Sequence, residues 1–227
     1  MTINQNNNRI IAITPFTNRN KIFKEFISRM DPKPDLLITY NEKEYITDSS
    51  LKSKLWKVAC NYNLLKKLTP KENYDYVYIM EDDVEVPINI LNIFLKNMND
   101  NKSIDIISTS VMCRNANKRM VWNIDHETNF VKTYTGDSIG IKKVGCTSLN
   151  SFLIKRKPFK KSIFLGQDES HKLTVDTLYF YYLNCLGYNT YCNFDIPTIH
   201  DDKNIWGGKL SNFDRNQIIK YIRKVPL

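Results

Sequence analysis

Along the chain, short runs of β-branched and aromatic residues alternate with longer stretches whose apolar residues recur at helical spacing. Arg9-Ile10-Ile11-Ala12-Ile13-Thr14 reads as a first buried strand, followed by the turn Pro15-Phe16-Thr17-Asn18-Arg19. Residues 21–30 set Ile22, Phe23, Phe26, Ile27 and Met30 at helical spacing, and Asp31-Pro32-Lys33-Pro34 breaks that helix before a second strand, Asp35 to Tyr40. Strand, helix and strand in this order predict a βαβ unit with a right-handed crossover. Residues 50–68 carry Leu51, Leu55, Val58, Ala59, Tyr62, Leu65 and Leu68 on one helical face, with Ser49 or Ser50 as N-cap. That helix leads into the run Tyr76-Val77-Tyr78-Ile79-Met80, too short for a helix, then Glu81-Asp82-Asp83-Val84-Glu85-Val86-Pro87. A helix over Pro87 to Met98 and a strand over Ile104 to Ser110 complete an alternation that predicts a mostly parallel, doubly wound α/β sheet flanked by helices.

From 111 to 147 the pattern loosens. Short candidate strands (Met120 to Asn123, Asn129 to Tyr134) lie among polar turns with Gly136, Gly140 and Gly145, which predicts a small antiparallel β excursion. Ser148 to Ile154 is strand-like and runs into the basic cluster Lys155, Arg156, Lys157, Lys160 and Lys161. Val175 to Leu186 is an amphipathic helix stopped by Gly187, followed by short strands at Asn189 to Asn193 and Thr198 to His200 and a basic helix at Asp214 to Lys224. The expected organisation is a mobile tail over residues 1–8 and one domain over 9–227, with a nucleotide-binding half at 9–110 and an acceptor half with the C-terminal helix at 111–227.

Composition narrows the class. With 227 residues, 42% hydrophobic and 25% charged, the chain suits one α/β domain with a well-buried core. No run approaches a membrane span, and Met1 to Asn8 is no signal peptide. Five scattered cysteines without C-x-x-C spacing point to reduced thiols and a cytoplasmic location, and away from a zinc site or disulfide framework. The net charge of +9 invites an anionic partner: a nucleotide, a phospholipid surface in a membrane-peripheral setting, or nucleic acid.

The acids Glu81, Asp82 and Asp83 stand at the carboxyl end of a buried strand, where open α/β sheets place their ligands. Adjacent anions are tolerated best opposite a cation, and hard oxygen donors suit Mg²⁺ or Mn²⁺, which commonly also hold a diphosphate. A solvated acidic turn is the competing reading. Thr14, Pro15 and Arg19 after the first strand, with Asn41 and Glu42 after the second, are candidate base and ribose contacts. The cluster Lys155 to Lys161 suits a diphosphate, an anionic acceptor or a membrane surface, against a default of solvated charge. Trp122 and Trp206 could stack on a sugar or plug the core, and Trp206-Gly207-Gly208 reads as a mobile segment.

These residues resemble nucleotide-sugar glycosyltransferases of the GT-A fold, a Rossmann-related architecture. The resemblance runs through Asn61-x-x-Leu64-Leu65 and Tyr76 to Pro87, similar to the family's helix-to-D-x-D passage, and through the opening strand Ile10 to Thr14 with Pro15. Ser148 to Phe159 resembles the segment leading to the acceptor site. Val175-Asp176-Thr177 with Gly187-Tyr188-x-x-Tyr191 resembles the catalytic-acid helix and the strand after it, and Thr198-Ile199-His200-Asp201 the late histidine. It spans roughly residues 9–202, and departs from the family at Glu81, often Asp there, and at Val175, usually acidic.

The resemblance implies a metal-dependent sugar transfer from a nucleoside-diphosphate sugar, UDP- or GDP-linked, to a hydroxyl of a glycan, lipid or protein, by direct displacement with inversion. It implies Asp83 and His200 as ligands of Mn²⁺ or Mg²⁺, with Glu81 or Asp82 orienting metal-bound water or the ribose, and Asp176 as general base. Asp168 and Glu169 are rivals for the last role; at Asp176 a plain helix-terminal acid is the alternative. Two other functions compete: a sugar-1-phosphate nucleotidyltransferase, whose Gly-rich loop is missing from Ile13-Thr14-Pro15-Phe16-Thr17, and a basic nucleic-acid-binding protein, for which no motif is found. No nucleic-acid partner is therefore expected.

Overall fold

The computed structural model describes residues 8–16, 26–41, 54–82, 84–111, 118–124, 131–135, 138–166, 174–196, 198–200 and 204–206. In chain order its elements begin with β1 (Ile10–Phe16), β2 (Leu36–Asn41), α1 (Lys54–Leu68), β3 (Tyr76–Met80) and β4 (Val84–Glu85). Then come α2 (Ile90–Asp100), β5 (Ile106–Ser108), β6 (Lys118–Ile124), β7 (Val131–Thr135), β8 (Ile141–Val144) and β9 (Cys146–Thr147). The chain closes with β10 (Ser151–Lys155), α3 (Arg156–Lys161), α4 (Val175–Cys185), β11 (Thr190–Asn193), β12 (Thr198–His200) and β13 (Asn204–Trp206).

The main sheet has seven strands in the order β2-β1-β3-β10-β5-β11-β8. Strands β2, β1, β3, β5 and β11 point one way, and β10 and β8 run against them. The expected α/β architecture, a mostly parallel sheet flanked by helices, is the one observed. Its strands read as unbroken apolar runs because both faces are covered. Ile11, Ile13, Val77, Ile79, Phe152 and Ile154 face one core with α1 and α4, while Ile10, Ala12, Tyr78, Met80 and Leu153 face the other with α2 and residues 26–30. The alternation of neighbours along each strand is the period of two that β geometry dictates.

Several boundaries differ from the sequence expectation. Strand β1 runs on through Pro15 and Phe16, paired with Tyr40 and Asn41. Its pairing with β3 reaches only Ile13↔Ile79, so Pro15 sits where β1 has one neighbour and its missing N–H breaks no ladder on that side. Helix α2 starts at Ile90 rather than Pro87, after a turn in which the Ile90 N–H donates to the Pro87 carbonyl at 3.0 Å. The basic cluster forms the short helix α3, anchored by buried Pro158 and Phe159. The excursion at 111–147 is a three-stranded sheet, β7-β6-β9, but it also sends β8 to the edge of the main sheet beside β11. Trp122 packs against the core, and Trp206 lies in β13, paired with Thr198. Helix α4 ends as Gly187 predicts: the Gly187 and Tyr188 N–H groups donate to Asn184 and Leu183, a Schellman closure with Gly187 at φ +83°. Residues 1–7 of the expected tail at 1–8, and the terminal helix at 214–224, lie outside the described residues.

An acid stands just before three of the parallel strands. Asp35 Oδ2 accepts the Ile10 N–H at 2.6 Å, Asp75 Oδ2 that of Arg9 at 3.0 Å, and Asp105 Oδ2 that of Asn189 at 3.1 Å. These aspartates close the foot of the sheet, the end from which the parallel strands start.

Candidate active site

The carboxyl ends of β1 and β3 lie together at the opposite end. The β1-to-β2 connection carries Ile27 and Met30 across one face, and the β2-to-β3 connection carries α1 across the other. Strand order reverses between β1 and β3, and such a switch point leaves the crevice in which doubly wound sheets bind ligands. Thr14 closes the end of β1 onto β3 by donating its hydroxyl to the Met80 carbonyl at 2.8 Å. Its Oγ1 is thus part of the scaffold and keeps only lone pairs for a ligand. Half-buried Pro15 follows it at the rim. Asn41 ends β2, its backbone paired with Phe16. Arg19 and Glu42 lie outside the described residues.

Beyond Met80 the chain leaves the main sheet. Glu81 is half-buried and Asp82 is buried, at 6% exposure; Asp83 lies outside the described residues. The chain then enters β4, whose Val84 is buried and draws this turn inward. Strand β4 belongs to a second, three-stranded sheet, β13-β12-β4, in which His200 pairs with Val84 and Ile199 with Glu85. That register brings buried His200 beside the residue that follows Asp83, from more than a hundred positions away in the chain.

Asp176 sits in the first turn of α4, after Thr174, whose Oγ1 accepts the Thr177 N–H at 3.4 Å. A helix N-terminus alone would favour the ionised acid by about 0.3–1 kcal/mol. Here the balance goes the other way. Burial of the carboxyl pushes the Asp176 pKa up, against the opposing pull of the N–H groups of Leu149 and of Asp176 itself. Helix α4 is set at this depth by an aromatic stack: Tyr62 of α1 lies 4.8 Å from Phe164 and Phe164 lies 4.2 Å from Tyr179, centroid to centroid. Below the acid, Cys146 donates its thiol to the Thr177 carbonyl at 3.6 Å. Desolvation, then the charges of Asp176 and Cys185, push that thiol's pKa up to about 12, so it stays protonated and inert.

The residues that join these two regions carry no recognisable sequence signal. Between β9 and β10, the Leu149 N–H donates to Asp176 Oδ2 at 3.4 Å, and the next carbonyl, that of Asn150, accepts the Glu81 N–H at 2.9 Å. One dipeptide therefore spans from the acidic turn to Asp176. Around it, Thr109 Oγ1, Ser148 Oγ and Asn150 Nδ2 are buried with no hydrogen-bond partner among the described residues. Similar atoms occur on Asn97 and Thr190 elsewhere, so their number decides nothing. Each costs about 1–3 kcal/mol unless something polar arrives.

Among the described residues no three His, Cys, Asp or Glu side chains form a metal cage. Asp82 and His200 are nonetheless of the kind of donor that Mn²⁺ accepts, and His200 pairs with Val84, two residues after Asp82. Asp168, Glu169 and the glycines 207–208 lie outside the described residues. Lys155 to Lys161 lie at the foot, since Lys155 pairs with Tyr76 at the start of β3. Among the described residues the four cysteines are free thiols, and no helix is long and apolar enough to cross a membrane.

No family model matches the chain, and no curated protein matches it. Among solved structures it is similar to A197 from STIV, with a TM-score of 0.53 and 12% identity over 88% of this chain and 94% of that one. It is also similar to S. aureus TarS 1-349, at a TM-score of 0.46 and 11% identity over 94% of this chain and 64% of that one. A third is the CMP:2-keto-3-deoxy-manno-octonic acid synthetase complexed with CTP, at 0.42 and 8% over 81% and 88%. At 12% identity the likeness to A197 is one of fold alone, and the other two scores are too low to add to it.

Proposed function

We propose that this protein is a metal-dependent glycosyltransferase that moves a sugar from a nucleoside-diphosphate sugar to a hydroxyl acceptor by direct displacement with inversion. The observation that carries the reading is the Leu149–Asn150 dipeptide, which bonds Asp176 on one side and Glu81 on the other. A leaving-group station and a proton acceptor on the two flanks of one crevice are what a single displacement requires.

The nucleotide lies over the ends of β1 and β2, against Thr14, Pro15, Arg19, Asn41 and Glu42. Asp83 and His200 hold a divalent cation, Mn²⁺ or Mg²⁺, with Glu81 and Asp82 orienting its water or the ribose. When bound, that ion offsets the negative charge that gathers on the departing diphosphate. Asp176 takes the proton of the acceptor hydroxyl, and the freed oxygen bonds to C1 of the sugar. The C1–O bond to the diphosphate breaks, and its electron pair leaves with the nucleoside diphosphate. The raised pKa of Asp176 makes it a stronger base than an exposed aspartate. Thr109, Ser148 and Asn150 supply polar atoms for the acceptor or the sugar hydroxyls.

The test is calorimetry of UDP and GDP with and without Mn²⁺. The expected result is Mn²⁺-dependent binding that Asp83→Ala abolishes while the melting curve is unchanged. Equal nucleotide affinity in wild type and variant would sink the assignment. Pyrophosphate release from a nucleoside triphosphate and a sugar phosphate would replace it with a nucleotidyltransferase.

A further inference from the structure

The foot of the molecule carries a surface that the proposed reaction does not use. Helix α1 ends there, helix α3 begins there, and the fold clamps them together. Lys66 Nζ donates to the carbonyls of Lys160, at 3.2 Å, and Ser162, and lies over the Phe159 ring at 5.6 Å. Arg156 lies over Tyr74 at 5.9 Å, and its N–H donates to the Asp75 carbonyl at 2.8 Å. With Lys66 spent on this joint, six exposed cations remain on one surface: Lys67, Lys71, Arg156, Lys157, Lys160 and Lys161. The exposed acids at this end are Asp35, Glu72 and Asp75, and Asp35 and Asp75 are engaged by the Ile10 and Arg9 N–H groups. Among the described residues, the Lys96–Asp100 and Lys155–Asp105 ion pairs involve none of the six.

Aliphatic side chains stand among these charges. Phe164 turns inward onto Tyr62, so its neighbours Ile163 and Leu165 turn outward, at 41% and 38% exposure. Leu68, at the end of α1, is 52% exposed. A surface made for a nucleic-acid backbone pairs its cations with aromatic or polar groups that meet bases and sugars. Cations mixed with exposed aliphatics are what the interface of a bilayer takes up: charge for the headgroups, apolar tips for the acyl boundary.

We propose that this foot docks peripherally on an anionic lipid bilayer. Phosphate and carboxylate headgroups meet α3 and the end of α1, and Leu68, Ile163 and Leu165 enter the interfacial layer. Docked this way, the crevice above β1 and β3 faces solution. The proposal stands apart from the glycosyltransferase reading and survives its failure.

Flotation with phosphatidylserine–phosphatidylcholine vesicles, against pure phosphatidylcholine, tests it. Each Lys or Arg near an anionic surface is worth about fivefold in partitioning. The Lys157→Glu/Lys160→Glu/Lys161→Glu variant should therefore lose at least about a hundredfold, while Ile163→Ser/Leu165→Ser should lose about tenfold and become more salt-sensitive. Melting curves and nucleotide affinity should match wild type in both, because the replaced side chains are exposed. Equal partitioning onto neutral vesicles, or an aliphatic variant that binds like wild type, overturns the bilayer seat. So does tight, salt-sensitive binding of a mixed-sequence oligonucleotide without vesicle binding, which would assign the surface to nucleic acid.

Discussion

The two ends of β3 carry acids that look alike in the sequence and serve opposite ends. Asp75 precedes the strand and Glu81, Asp82 and Asp83 follow it. At the foot, Asp75 joins Asp35 and Asp105 in accepting backbone N–H groups of neighbouring strands. Their charge is spent on closing the sheet. At the carboxyl end, Asp82 is buried, the Asp176 pKa is raised by desolvation, and polar atoms of Thr109, Ser148 and Asn150 are left without described partners. The foot aspartates each close the sheet by accepting a neighbouring strand's N–H, whereas at Asp176 desolvation outweighs the pull of the backbone N–H groups of Leu149 and of Asp176 itself.

The sharpest test of the contrast is Asp176→Asn. It keeps the shape and removes the proton acceptor, so turnover at saturating donor should fall about 10²–10⁴-fold with donor affinity nearly unchanged. A loss below about tenfold in a well-folded variant would erase the distinction and move suspicion to Asp168 or Glu169.

Next in size is Phe164→Ala, which opens the stack that sets the depth of α4. A buried Phe-to-Ala change costs about 3–5 kcal/mol, read by denaturant unfolding, and turnover should fall too as Asp176 loses its seat. Full turnover in the surviving folded fraction would show that α4 is held by other contacts.

Asp105→Ala removes the acceptor for the Asn189 N–H and the partner of Lys155, 3.2 Å away. Stability should drop by about 1–2 kcal/mol with turnover per folded molecule unchanged, the signature of a foot acid. Reduced turnover at full folding would break the comparison from the structural side.

The smallest effect is one of pH. The native state binds the Asp176 proton more tightly than the unfolded chain does, because its native pKa is raised. That contribution to stability is present at low pH and is lost as pH rises through the native value. Above that native value the ionised carboxylate weighs against the fold, so there Asp176→Asn should melt at the wild-type temperature or slightly above. Turnover should rise with pH through the same raised value. A variant that melts several degrees lower would mean that the Leu149 and Asp176 N–H groups outweigh the burial of the carboxylate.

The sequence by itself determined the layers. Apolar runs at Ile10 to Ile13, Val77 to Met80 and Phe152 to Ile154 could be buried only with both faces covered, and the helical spacing of Ala59, Tyr62 and Leu65 supplied one cover. It also marked the acids after β3, the Asp176 helix start and the Gly187 stop, because strand ends, helix starts and positive-φ stops are set by neighbours in the chain. It left unseen whatever needs a partner far away. Lys155 and its neighbours read as a ligand contact or a charge run until the antiparallel pairing of β10 with β3 sent them to the foot beside Lys66. His200 became a neighbour of the acidic turn only through the β4–β12 register, and β4 is two residues long, too short to show a period. Leu149 and Asn150 act through main-chain groups that every residue type but proline carries, so no pattern of side chains could have announced them. Local pattern fixes which surfaces must be buried; which distant groups then meet is decided by strand order and register, and those belong to the folded chain as a whole.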